Sequence, residues 1–153
     1  MTLDLPGPIA GVRLASSRVI GDDRGQFARL FDSGLLSDAH GARPIVQINH
    51  SVTRQPGTVR GMHYQTAPAL EAKWVRCLRG RVLDVAVDLR RGSPTFLQHF
   101  AVELSPEGAA AVFIPEGCAH GFQVLEPDSE LLSVISFQLS AHADRESPWR
   151  GSR

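Results

Sequence analysis

From Lys73 to Leu78 and again from Val82 to Leu89 the sequence is dense in apolar and β-branched side chains, and between the two runs lies only Arg79-Gly80-Arg81. Two such runs joined by a short Gly-centred segment are the sequence form of an antiparallel hairpin. The rest of the chain repeats the theme. Apolar stretches are short and alternating, turn residues recur at close intervals, and few long segments carry a helical period.

Further strands are expected over residues 12–20, around Phe27 and Leu30, and over 45–52, 59–65, 96–104, 111–114, 120–125 and 130–139. Gly21 to Gly25 and Gln55-Pro56-Gly57 are turns, the second with a proline that presets its backbone angle and a permissive glycine. One helical turn is expected within residues 33–40. The expected class is all-β, a sandwich or barrel with little helix.

At 153 residues the chain has the length of one domain, taken as residues 1–153. Sixteen Lys plus Arg balance sixteen Asp plus Glu, so no global field draws it to nucleic acid or to an anionic membrane. No apolar leader or membrane-length run is present, and the cytoplasm is the expected compartment. Cys77 and Cys118 form no metal-type pair by spacing. Cys118 stands two residues from His120, an arrangement that fits a small buried hydrophobe better than a nucleophile.

Alternation places Leu83, Val85, Val87 and Leu89 on one side of their strand and Val82, Asp84, Ala86 and Asp88 on the other. The second, mixed side suits either solvent or the lining of a ligand cavity.

Three polar clusters fall on separate expected strands: Arg60-Gly61-Met62-His63-Tyr64-Gln65, Glu71-Ala72-Lys73, and Pro115-Glu116-Gly117-Cys118-Ala119-His120-Gly121-Phe122. The Pro-x-Gly-x-x-His piece resembles the second half of the cupin pattern, in which proline and glycine turn the chain so that the histidine enters the barrel. Metal-binding cupins carry His-x-His in the first half, but here His63 is followed by Gln65, and Glu71 is poorly spaced. Two imidazoles are too few for a transition metal, which takes three or four protein ligands, so neither metal nor other cofactor is expected.

The longer resemblance is to the dTDP-4-dehydrorhamnose 3,5-epimerase family, the RmlC-like cupins. It is carried by Asp22-Asp23-Arg24-Gly25-Gln26-Phe27, Gln47-Ile48-Asn49-His50-Ser51, Val59 to Gln65, Lys73-Trp74-Val75-Arg76-Cys77, Asp84 to Arg90, Ser93-Pro94-Thr95-Phe96, and Ile114 to Phe122. The resemblance implies a cupin-type jelly-roll barrel, a homodimer with exchanged strands, and a dTDP-linked 4-keto-6-deoxy sugar as substrate. It also implies roles. His63 matches the base that takes a proton beside the ketone, Lys73 and His120 match positions close to the sugar, and Arg24, Phe27, Gln47, Asn49 and Arg60 match positions that hold the nucleotide.

Those roles make physical sense. A proton α to a carbonyl is weakly acidic, so both a placed base and a charge near the developing enolate oxygen are needed. Imidazole is partly neutral near pH 7, an ammonium lowers the cost of the oxyanion, and guanidinium forks match diphosphate oxygens. Inversion further requires a donor on the opposite face.

Two departures from the family pattern bear on that donor and on the base. The family's tyrosine donor aligns with Ser133, whose hydroxyl is shorter and far less acidic, so that it acts only by holding a water. The family also continues to an aspartate that pairs with the base, whereas only Arg150-Gly151-Ser152-Arg153 follow Trp149 here. Asp84 is then the carboxylate expected to orient His63, with Asp144 and Glu146 in a stretch given no placement. Three readings stay open: an epimerase acting at C3, C5 or both, a sugar-nucleotide 3,4-ketoisomerase, and a nucleotide-sugar-binding relative without catalysis.

Overall fold

The computed structural model describes residues 2–34, 39, 41 and 43–137. Among them lie twelve strands: β1 (Thr2–Pro6), β2 (Arg13–Ser16), β3 (Val19–Asp22), β4 (Gly25–Ala28), β5 (Ile45–Thr53), β6 (Val59–His63), β7 (Glu71–Arg79), β8 (Val82–Asp88), β9 (His99–Leu104), β10 (Ala110–Ile114), β11 (Cys118–Val124) and β12 (Ser129–Phe137). They form a six-stranded sheet in the order β1-β2-β10-β7-β12-β5, a four-stranded sheet β6-β11-β8-β9, and the separate hairpin β3-β4. Every pairing is antiparallel.

Alternation along the strands of the large sheet divides their side chains between two cores. Val75 and Cys77 of β7 and Val112 and Ile114 of β10 pack with Val82, Ala86 and Leu104 of the small sheet. This inner core holds the two sheets face to face. Ala72, Trp74, Ala111 and Phe113 point the other way and pack with Val134 beneath Phe31 and Ala39, with the Trp74 and Phe113 rings centred 5.3 Å apart.

The strands β7 and β8 form, but not the hairpin expected of them: β7 lies between β10 and β12 in the large sheet and β8 between β11 and β9 in the small one. The turn at Gly80, with φ 72°, instead carries the chain from one sheet to the other. β8 also uses its faces in a way that alternation left open. Val82, Asp84, Ala86 and Asp88 are buried, while Leu83, Val85 and Val87 are only half-buried. The mixed side is the inward one.

The single strand expected over 12–20 is two strands, β2 and β3. At the break Ser17 leaves the ladder: its N–H donates to Ala109 O and its hydroxyl donates to Arg29 O. The strand expected from Phe96 starts later, at His99, because Ser93 and Thr95 donate their hydroxyls to Asp88 and Leu97 adopts a left-handed backbone with φ 65°. The strand β1 was not expected. The helical turn anticipated within 33–40, and Asp144 and Glu146, fall wholly or largely outside the described residues. No helix among the described residues is long and apolar enough to cross a membrane.

Candidate active site

Between the two sheets, on the side bounded by edge strands β5 and β6, opens a cavity of about 350 Å³. Asn49 and Ser51 of β5, Glu71 and Lys73 of β7, and Ser133 and Ile135 of β12 line it from the large sheet. Arg60 and His63 of β6, Gln65 just beyond, and His120 and Phe122 of β11 line it from the small sheet. Six of the ten residues expected at the site therefore share one cavity: Asn49, Arg60, His63, Lys73, His120 and Ser133.

Arg60 and His63 are three residues apart, and in a regular strand they would face opposite ways. Both line the cavity because the ladder of β6 with β11 slips: His120 stands opposite His63 but Phe122 stands opposite Arg60, so β6 has one extra residue. Glycines make the bulge possible. Gly61 has φ 121°, and a Cβ there would stand 2.6 Å from Gly121 Cα. A Cβ on Gly121 would in turn meet Arg60 O at 2.9 Å.

The turn into β11 is also held by packing. Gly117 has φ 78°, and a Cβ there would stand 2.5 Å from Cγ of Arg90. Arg90 itself is fixed, donating from Nε and Nη2 to the two oxygens of Asp88 at 2.9 and 2.8 Å and from Nη2 to Ala10 O at 2.6 Å. Asp88 is fully buried, and the Arg90 guanidinium beside it, with the hydroxyls of Ser93 and Thr95, holds its carboxyl well below the usual carboxylate range.

Within the cavity the ionisable groups differ in support. His120 Nε2 donates to Asp84 Oδ2 at 2.7 Å, with Asp84 only 1 % exposed, leaving Nδ1 of the neutral ring as the acceptor. Asp84, expected to orient His63, therefore serves His120 instead, because β8 pairs with β11 and β6 is the strand beyond. The ring of His63 makes no hydrogen bond to any described residue. Lys73 Nζ donates to Glu71 Oε1 at 2.5 Å. Arg60 Nε donates to Thr53 Oγ1 at 2.9 Å, which ties β6 to the end of β5 and leaves the guanidinium fork without a protein partner among the described residues.

Three expected residues lie elsewhere. Arg24 and Phe27 sit on the β3-β4 hairpin, where Arg24 is engaged by Asp22 at 2.6 Å and Phe27 is 64 % exposed. Gln47 stands opposite Ile135 on β5 but does not line the cavity. Conversely, Ser51, Gln65, Glu71, Phe122 and Ile135 line it without having been singled out as site residues. Glu71 had a usable signal, since it lies two residues from Lys73 and so on the same face of β7. Among the described residues no group of three or more His, Cys, Asp and Glu is gathered as a metal would require.

Two antiparallel sheets enclosing a polar, ligand-sized cavity reached between edge strands define a cupin-type jelly roll. A family model described as dTDP-4-dehydrorhamnose 3,5-epimerase matches residues 6–152, and the chain belongs to that family, whose members are isomerases. It is 43 % identical over 142 residues to the dTDP-4-dehydrorhamnose 3,5-epimerase of Shigella flexneri, covering 92 % of this chain and 78 % of that protein. The corresponding figures for the epimerase of Sinorhizobium fredii (strain NBRC 101917 / NGR234) are 41 % over 141 residues, 92 % and 72 %. Among solved structures, the epimerase of Legionella pneumophila Philadelphia 1 in complex with dTDP-4-keto-L-rhamnose has a TM-score of 0.79 at 36 % identity, covering 88 % of this chain and 71 % of that one. The Bacillus anthracis str. Ames epimerase with TDP and PPi bound gives 0.78 at 32 % identity, with 93 % and 86 % covered.

Proposed function

We propose that this chain epimerises a dTDP-linked 4-keto-6-deoxyhexose at C3, C5 or both, by removing a proton α to the ketone. One observation carries the reading: His63 and His120 lie on one wall of the cavity while Lys73 and Ser133 lie on the other. A hexose between the walls presents one face to the imidazoles and the other to the ammonium and hydroxyl. In this scheme His63 is the base, and Lys73 stabilises the enolate oxygen. His120, oriented by Asp84, lies beside the sugar, and Ser133 holds a water that returns a proton from the opposite face. The fork of Arg60 takes the diphosphate, with Asn49 beside it.

The nucleotide-holding roles of Arg24, Phe27 and Gln47 belong to a homodimer. Edge strands β5 and β6 leave Val46, Ile48, Val52, Val59 and Met62 exposed, and the projecting β3-β4 hairpin exposes Ile20 and Phe27. Unpaired edges with apolar side chains favour a second copy that covers them and brings its hairpin to this cavity. The buried, unpaired thiols of Cys77 and Cys118 suit a reducing cytoplasm.

A second reading, ketone migration, draws support from the register that sets His63 opposite His120 on a single wall. Two imidazoles on one side of the sugar can take and return a proton on the same face. The deciding experiment is proton NMR of dTDP-4-keto-6-deoxyglucose with the protein in deuterated buffer. Epimerisation predicts loss of the C3 or C5 proton signal and inverted couplings. Migration moves the ketone resonance without inversion, and an absence of exchange with dTDP bound would overturn both.

A further inference from the structure

The outer face of β7 carries a second polar feature, separated by the sheet from the sugar cavity. Arg76 is 4 % exposed and has no carboxylate partner among the described residues. Its guanidinium donates only to neutral oxygens, from Nη1 to Ala109 O at 2.8 Å and from Nη2 to Ser17 Oγ at 2.7 Å. Its Nε–H has no acceptor among the described residues, and neither has the indole Nε1–H of Trp74, which is 5 % exposed and two residues away on the same face. Both side chains line a small cavity otherwise walled by Leu30, Phe31, Ala111, Leu132 and Val134. Its free space is about 10 Å³, near the least that one small occupant needs.

We propose that this cavity is a binding site for one small monovalent anion of the halide class, held by the N–H groups of Arg76 and Trp74. The choice between anion and water follows from the donor inventory. Guanidinium and indole only donate, and the other described residues that line the cavity present hydrocarbon. A water seated there would accept twice but find no acceptor for its own protons, whereas a halide accepts only. The one hydroxyl near the guanidinium, Ser17, already gives its proton to Arg29 O. A halide also supplies the counter-charge that the buried guanidinium lacks. Burial lowers the pKa of Arg76, in keeping with a cation that has no ionic partner.

The test pairs diffraction with melting. Crystals of the full chain grown in sodium bromide should show, at the bromine absorption edge, an anomalous peak within hydrogen-bonding distance of Arg76 Nε and Trp74 Nε1. In solution, sodium chloride or bromide should raise the melting temperature by about 2–4 °C over sodium gluconate of equal ionic strength, saturably. The gluconate anion is too large for the cavity. Trp74→Phe keeps a ring against Phe113 while deleting the donor, and should lose most of that shift. A peak without anomalous signal would identify water and overturn the proposal. So would a bromide peak with no saturable shift, marking uptake only at crystal concentration, or an equal shift in Trp74→Phe.

Discussion

Asp84 lies behind His120, its Oδ2 2.7 Å from the ring Nε2, on a strand face whose other three residues, Val82, Ala86 and Asp88, are all buried. The carboxylate accepts from the ring and so fixes its tautomer and orientation. Asp84→Asn keeps the shape but removes the charge. The expected result is a fall in kcat for inversion of about tenfold or more with little change in KM. A change confined to KM would place Asp84 in sugar binding alone.

Substitution of His63 by alanine should abolish exchange of the substrate's α-protons with solvent, because no other free imidazole on its strand reaches the cavity. Binding of dTDP, measured by calorimetry, should stay near its original value, since Arg60 and Asn49 are untouched. Persistent exchange would transfer the base role to His120.

Ser133 lines the cavity between Asn49 and Val75 in register, so a longer side chain at this position projects toward the sugar. Ser133→Tyr introduces a phenol, a far better proton donor than an alcohol. The inversion rate, followed by NMR, should rise. An unchanged rate would argue that protonation from the large sheet runs through another group.

Asp88 holds Arg90, and Arg90 fills the space beside Gly117 where β11 begins. Asp88→Asn should cost on the order of 3 kcal/mol, because it leaves a hydrogen-bonded cation and two hydroxyls without their carboxylate. The pH dependence has a definite sign. The folded carboxyl titrates well below its unfolded value near 4, so its contribution is complete above that value and is lost as pH falls below it toward the folded pKa. The gap in melting temperature between wild type and variant should narrow in acid.

Although their placement in different sheets was not legible, the strands β7 and β8 themselves were, because their side chains and spacing both point to β-structure. The same is true of the His120 turn, where proline and glycine set the direction of β11. What sequence could not supply was the identity of the inner face. On β8 the face with two aspartates is inward because Asp84 and Asp88 each have a partner, His120 from β11 and Arg90 two residues beyond the strand's own end. The outer face, though richer in large aliphatics, is only half-covered. For the same reason Asp84 could be recognised as a site residue but not matched to its histidine, since that match depends on which strands are neighbours. Gln47 and the Arg24–Phe27 hairpin mark a second limit: they lie away from the cavity in one copy of the chain, and the roles expected of them rest on the proposed homodimer.

The bulge at Gly61 gives β6 a reading frame. Arg60 and His63 lie on either side of one supernumerary residue, so a single deletion between them would preserve the strand's ladder yet turn one of the two away from the cavity. Chains related by point substitution can drift far in sequence and keep this pair together. A chain that has lost or gained one codon in the Arg60-to-His63 interval would retain the barrel while parting the fork proposed for the diphosphate from the proposed base, and the length of that interval is therefore a sharper guide to activity among relatives than overall identity.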